Sequence, residues 1–188
     1  MNKKLSDNSR FKGLRIAITG ANGSLGKSLI EELKKNGAFV YGLTHSKKFS
    51  SKINTDAPDE WIFWSCGEEK LLSTRLAKID ILILNHGFNP HGGQSNNDLN
   101  DALEINALST WRLIERFEYT IRKKQNNSKN PEIWVNTSEA EIQPALSPTY
   151  EISKRLIGQI VSFKMKNVNQ NKNSNLKIRK IILGPFKS

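Results

Sequence analysis

Apolar positions change their period several times along the chain. Leu14 to Thr19 is a short apolar run with β-branched residues, closed by Gly20, and predicts a buried strand. From Leu25 to Lys35 the apolar residues Leu25, Leu29, Ile30 and Leu33 recur at helical spacing, and Asn36-Gly37 stops them. Phe39 to Leu43 and Trp61 to Trp64 predict two further strands, Glu68 to Ala77 a short helix, and Ile81 to Leu84 a fourth strand. A loop rich in Gly, Asn and Pro covers His86 to Asn97. Asp98 is expected to cap a helix reaching about Lys123, and a polar turn, Lys124 to Asn130, separates it from a fifth strand, Ile133 to Thr137. Ser147-Pro148 predicts the start of a helix to about Asn167, with Pro148 in its first turn. A strand from Leu176 to Leu183 ends the pattern.

Strands alternating with helices predict an α/β fold, a parallel sheet covered on both faces. The expected organisation is a polar segment over 1–12 and one domain over 13–188. Sheets of this kind bind ligands at the carboxyl ends of their strands, so the chemistry is expected in the turns after each strand.

Composition narrows the class. With 37% hydrophobic and 25% charged residues, a chain of 188 can bury a core without disulfides or a structural metal. Cys66 is the only cysteine, which excludes an internal disulfide. The three histidines, His45, His86 and His91, predict no metal site. No apolar region follows the basic N-terminus, and the longest apolar stretch, Ile79 to Leu84, is interrupted by Asp80. The expectation is a cytoplasmic protein with neither secretory signal nor membrane span. The net charge of +11 invites a polyanion reading. Nine of the Lys and Arg residues fall between Glu151 and Ser188, against one acid. That segment reads as a helix and a strand without aromatic interleaving, so a solvated face is expected rather than a specific nucleic-acid site.

The first of these turns is Thr19-Gly20-Ala21-Asn22-Gly23-Ser24-Leu25-Gly26, between a strand and a helix. Glycines let a phosphate reach the main chain, and the amides of the helix N-terminus face it. The second strand ends in Leu43-Thr44-His45-Ser46-Lys47-Lys48, and the fourth in Asn85-His86-Gly87. Ser138 ends the fifth strand, 12 residues before Tyr150. Tyr150 and Lys154 are four apart and share a helix face, where an ammonium can lower the phenol's pKa toward neutrality. Asn106 lies in mid-helix, where asparagine is disfavoured.

Together these residues resemble the short-chain dehydrogenase/reductase family, from about Leu14 to Pro185. Within it, the similarity is to a group labelled bifunctional sterol desaturase/short-chain dehydrogenase, although three histidines and no membrane span give the desaturase half no support. The resemblance implies a Rossmann-type doubly wound sheet and hydride transfer between a nicotinamide and a carbonyl or alcohol of a small molecule. Tyr150 would move the proton, Ser138 would hydrogen-bond the substrate oxygen, Lys154 would hold the nicotinamide ribose and tune Tyr150, and Asn106 would distort its helix and hold a relay water. Cofactor contacts would come from Thr19, Gly20, Asn22, Ser24, Leu25, Gly26, Thr44, His45, Ser46, Lys47, Asn85, His86, Gly87, Tyr150, Lys154, Gly184 and Pro185.

Ser24 stands where the family has its middle glycine, and Ser65-Cys66-Gly67 where it has an aspartate after the third strand. An NAD-selective site ends its second strand in an acid. Thr44, His45, Ser46 and Lys47 offer none, so NADP(H) is expected over NAD(H). The family continues past Gly184-Pro185 into a final strand and a lid helix, for which this chain has no sequence. It is expected to be incomplete or a reduced member with an open site. The apolar stripes of the 98–123 and 148–167 helices predict a homodimer or homotetramer. A nicotinamide-binding sensor or scaffold without turnover remains the alternative.

Overall fold

The computed structural model describes residues 10–45, 56–123, 130–171 and 174–184. Six strands form one parallel sheet: β1 (Arg15–Thr19), β2 (Phe39–Thr44), β3 (Glu60–Phe63), β4 (Ile81–Leu84), β5 (Glu132–Ser138) and β6 (Lys177–Leu183). Their order across the sheet is β3-β2-β1-β4-β5-β6, as expected for a Rossmann-like fold. The order reverses between β1 and β4, which opens a crevice at their carboxyl ends. Gly20 and Asn85, the residues that follow these two strands, flank it.

The strand pattern explains why both faces are covered. In β1, Ile16 and Ile18 point to one side and Ala17 to the other, and all three are fully buried. Ile16 and Ile18 pack with Val40, Ile81 and Ile83 beneath Ile30 and Leu33 of α1 (Ser24–Lys35). Ala17 joins Leu82, Leu84, Ile133 and Val135 beneath Leu113, Phe117, Ile157 and Val161. Those last four belong to α4 (Ser109–Lys123) and α5 (Pro148–Gln170), with the short α2 (Ser73–Leu76) at the margin. Each fully buried Leu, Ile or Phe is worth roughly 1.5–3 kcal/mol, so these faces fix the strand register.

Two local readings are corrected. The 68–77 segment is a 3₁₀ turn, Glu69–Leu72, followed by the single turn of α2, with Leu72 and Leu76 as its apolar residues in the core. The helix expected from Asp98 begins earlier, as α3 (Asn96–Leu103), and its cap is Ser95. Ser95 Oγ accepts from the Asp98 N–H while the Asp98 carboxylate accepts from the Ser95 N–H, so Asp98 is the second half of a capping box. Between α3 and α4 the backbone widens into a π turn, Glu104–Leu108. Ser147 does occupy the N-cap of α5, but its hydroxyl makes no capping bond.

Candidate active site

The turn from β1 into α1 is shaped by glycine. Gly20 has φ +64°, and a side chain there would press on the Asn85 carbonyl at 3.0 Å. A Cβ at Gly26 would land on the Gly20 carbonyl oxygen and 2.8 Å from the Ala21 Cα, so no other residue fits. Gly23 is the N-cap of α1 and supplies no side-chain bond, and the first turn carries no acid. The amides of Ser24 and Leu25 therefore remain for an anion, with the positive helix end behind them. Ser24 is exposed and Asn22 half-buried at the mouth of this cradle, while Leu25 packs partly inward. The cradle fits a dinucleotide pyrophosphate.

The switch point is stapled by side chains. Thr19, fully buried, accepts at Oγ1 from the N–H groups of Asn85 (2.9 Å) and His86 (3.2 Å). Its own proton is then best placed toward His86 Nδ1 at 2.8 Å, which puts the ring hydrogen on Nε2. Nε2 is buried with no hydrogen-bond partner, and the ring meets Trp64 edge to face at 5.4 Å. Burial, and after it the charge of Lys154, lowers the pKa of His86 to about 4, so the imidazole is neutral. Asn136 of β5 donates to Asn85 Oδ1 at 3.0 Å and ties the next strand end to the same point.

Asn106 sits in the π turn and is buried rather than solvent-facing. It accepts from the Phe88 N–H at 2.7 Å, donates to the Phe88 carbonyl at 2.8 Å and donates to Ser153 Oγ at 2.8 Å. The helix distortion expected at this asparagine is present, and it brings the amide against the loop after β4 and against α5. Ser153 in turn donates to the Tyr150 carbonyl at 2.7 Å.

Lys154 lies on the inner face of α5 and is buried. Its ammonium stands 5.4 Å from the centre of the Tyr150 ring and makes no hydrogen bond or ion pair with any described residue. A Cβ on Gly87 would come within 3.5 Å of Lys154 Nζ and 3.2 Å of Asn106 Oδ1, so Gly87 keeps the backbone close to both. Burial lowers the pKa of Lys154 to about 8, and the nearby Glu141 carboxylate opposes the drop. Ser138 ends β5 and its oxygen accepts only from the Ala140 N–H at 3.3 Å, leaving its proton for an incoming acceptor. Tyr150 is half-buried.

The structure thus joins Gly87, Asn106, Tyr150 and Lys154 into one cluster, with Ser138 at the adjoining strand end. Thr44 is buried at the end of β2, and His45, which follows it, is exposed. Gly184 follows β6 and is exposed, while Ser46, Lys47 and Pro185 lie outside the described residues. The sequence did not single out Asn136, Ser153 or Glu141. Asn136 could have been found as a polar residue in a strand otherwise apolar at alternate positions.

A parallel sheet of this order with this crevice defines a Rossmann-like α/β fold. The chain belongs to the NAD dependent epimerase/dehydratase family, which it matches over residues 16–161. It is 40% identical, over its full length, to "Monoglucosyldiacylglycerol epimerase" of Synechocystis sp. (strain ATCC 27184 / PCC 6803 / Kazusa), and it spans 45% of that relative. The similarity is therefore to an epimerase, and not to the sterol desaturase group that the motifs suggested. Among solved structures, a short chain dehydrogenase from Burkholderia cenocepacia J2315 in complex with NADP superposes with TM-score 0.78 at 17% identity, over 94% of this chain and 74% of that one. A short chain dehydrogenase from Leptospira borgpetersenii serovar Hardjo-bovis (strain JB197) with bound NAD+ gives 0.77 at 19%, over 100% and 77%. Likeness at that identity establishes the shared fold. No helix among the described residues is long and apolar enough to cross a membrane.

Proposed function

We propose that this chain is the dinucleotide-binding and catalytic unit of an epimerase that inverts a carbinol carbon of a glycosylated lipid. The observation that carries the reading is Lys154, buried on the inner face of α5 and unpaired among the described residues, with its ammonium between the Tyr150 ring and Gly87. The lipid glycoside is the substrate class because the 40% identical relative is named for one. A bound nicotinamide would accept a hydride from the carbinol carbon and return it.

The chain's residues supply the rest. The amides of Ser24 and Leu25 would hold the pyrophosphate, and Lys154 would hold the ribose. Ser138 would donate to the substrate oxygen and stabilise its developing charge. Tyr150 would take the hydroxyl proton as the carbon becomes a ketone and give it back when hydride returns to the opposite face. Hydride and proton both return, so the net reaction is redox-neutral. NADP(H) is favoured because residues 43–48 contain no acid. Pairing of two copies through α4 and α5 is supported by Ile152, Leu156 and Phe163, exposed along one face of α5.

The test is a monoglucosyldiacylglycerol deuterated in turn at each carbinol carbon of its sugar, incubated with the chain and NADP or NAD. Inversion with deuterium retained at the inverted carbon supports the reading. Inversion with deuterium lost to solvent, or no inversion although the dinucleotide binds, overturns it.

A further inference from the structure

We propose that Glu141 is a positioning residue of this site: a buried carboxylate, held against Gly158 of α5 by Lys180 of β6, that provides the counter-charge for the Lys154 ammonium. The inference rests on the role given to Lys154 above and adds a residue that touches neither substrate nor dinucleotide.

Glu141 ends the 3₁₀ turn, Glu139–Glu141, that follows β5. Its side chain is 5% exposed. Lys180 Nζ donates to Oε1 at 2.6 Å and to Ser162 Oγ of α5 at 3.1 Å. Oε2 is buried and has no hydrogen-bond partner. A buried carboxylate with one oxygen unanswered is costly, and such a feature calls for a compensating charge.

The helix geometry provides one. A Cβ at Gly158 would stand 2.8 Å from Glu141 Cδ and Oε2, so glycine at this position is what admits the carboxylate to the helix surface. Tyr150, Lys154 and Gly158 recur every four residues and therefore share one face. Lys154, one turn before Gly158, is buried and has no ion pair among the described residues. The Glu141 carboxylate, with one oxygen unanswered, is thus packed against α5 one turn from Lys154, and its charge offsets part of the cost of burying the lysine.

The groups around Lys154 are few. Its own helix contributes Tyr150, the loop after β4 contributes the neutral His86, and the π turn contributes the uncharged Asn106. The 3₁₀ turn contributes Glu141, with Lys180 of β6 behind it. Among the described residues Glu141 is the acid that acts on Lys154, and it opposes the pull of burial toward the neutral amine. It thereby raises the share of Lys154 that is an ammonium near neutral pH.

The test reads Lys154 directly. The chain is prepared with ¹³C-labelled lysine, the Lys154 Cε resonance is assigned by its loss in Lys154→Arg, and its pH titration is followed. Glu141→Gln keeps shape and removes charge, and should move the titration down by about 0.5–1 pH unit. Lys180→Gln removes the competing cation and should move it up. A purely structural role for Glu141 would leave both titrations in place or shift them the same way, and either result overturns the inference. Should Glu141→Gln fail to fold, Lys180→Gln decides alone: an upward shift supports, and no shift or a downward one refutes. The readout needs no turnover, so failure of the epimerase reading would remain separate.

Discussion

The β1–β3 half and the β4–β6 half of the sheet prepare the same crevice with different material. In the first half the work is done by main chain. Gly20 and Gly26 clear space, Gly23 opens α1, and the amides of Ser24 and Leu25 stand at its N-terminus. In the second half it is done by buried polar side chains. Asn106 holds Phe88 and Ser153, Asn136 holds Asn85, and Lys154 is kept under Tyr150. Backbone recognition suits a pyrophosphate common to all nicotinamide cofactors. Side-chain placement suits proton transfer, which needs a tuned group at a fixed point.

The largest test of this division falls on the second half. Tyr150→Phe removes one hydroxyl and nothing that packs, so turnover should fall by about 10²–10⁴-fold while dinucleotide affinity, followed by nucleotide fluorescence, holds. Lys154→Ala should lower both, because in the proposed mechanism one ammonium serves ribose and phenol. Equal loss of affinity in the two variants would mean that Tyr150 acts through structure.

The first half should break in the opposite sense. Gly26→Ala forces a methyl onto the Gly20 carbonyl, and the turn must move to admit it. Dinucleotide affinity should fall by about 100-fold, the scale of losing two or more charge-assisted hydrogen bonds. The Lys154 resonance should stay where it is. Calorimetry with NADPH reads the first effect and the ¹³C titration reads the second.

These halves were also unequally legible in the sequence. The strands, their order of appearance and the glycine turn are local patterns, and the structure repeats them within a few residues. Ser138, Tyr150, Lys154 and Asn106 came from spacing and resemblance, and the structure places Lys154 and Asn106 beside Gly87, with the Tyr150 ring 5.4 Å from the Lys154 ammonium. What could not be read are partners distant in sequence. Glu141 and Lys180 are 39 residues apart, and Asn85 and Asn136 are 51 apart. Their pairing is decided by sheet order, which no local period encodes. The Ser95 cap was legible from its Ser-x-x-Asp spacing and was displaced in the expectation by the equally good capping residue Asp98.

The neutral His86 sits where the halves meet, and it makes their junction acid-sensitive. Its pKa is lowered in the fold from the ordinary 6.5 to about 4, mainly by burial. Between those values the unfolded chain binds the proton and the folded chain does not, so stability is full above about pH 6.5 and falls as pH drops toward 4. The drop corresponds to about 3 kcal/mol. Urea unfolding at pH 7, 5.5 and 4 should show it, and His86→Asn, which still offers Thr19 an acceptor, should flatten that part of the curve. An unchanged slope in the variant would place the acid sensitivity elsewhere.

The smallest effect expected returns to the first half, at the one place where side chains must discriminate. Thr44 is buried, so at the end of β2 the exposed His45 is the described residue that can meet the adenosine ribose. His45→Asp puts a carboxylate there. It would repel a 2′-phosphate and accept hydrogen bonds from the free ribose hydroxyls of NAD. A single exposed charge of this kind is worth about 1 kcal/mol, so the ratio of NADP to NAD affinity should fall by roughly fivefold to tenfold. Added salt should shrink the difference, because the site is open to solvent. If the ratio is unmoved, discrimination at this strand end lies with residues other than His45. If NAD already binds the parent chain as tightly as NADP, the preference inferred from the missing acid is wrong, while the backbone cradle, which both dinucleotides share, is untouched.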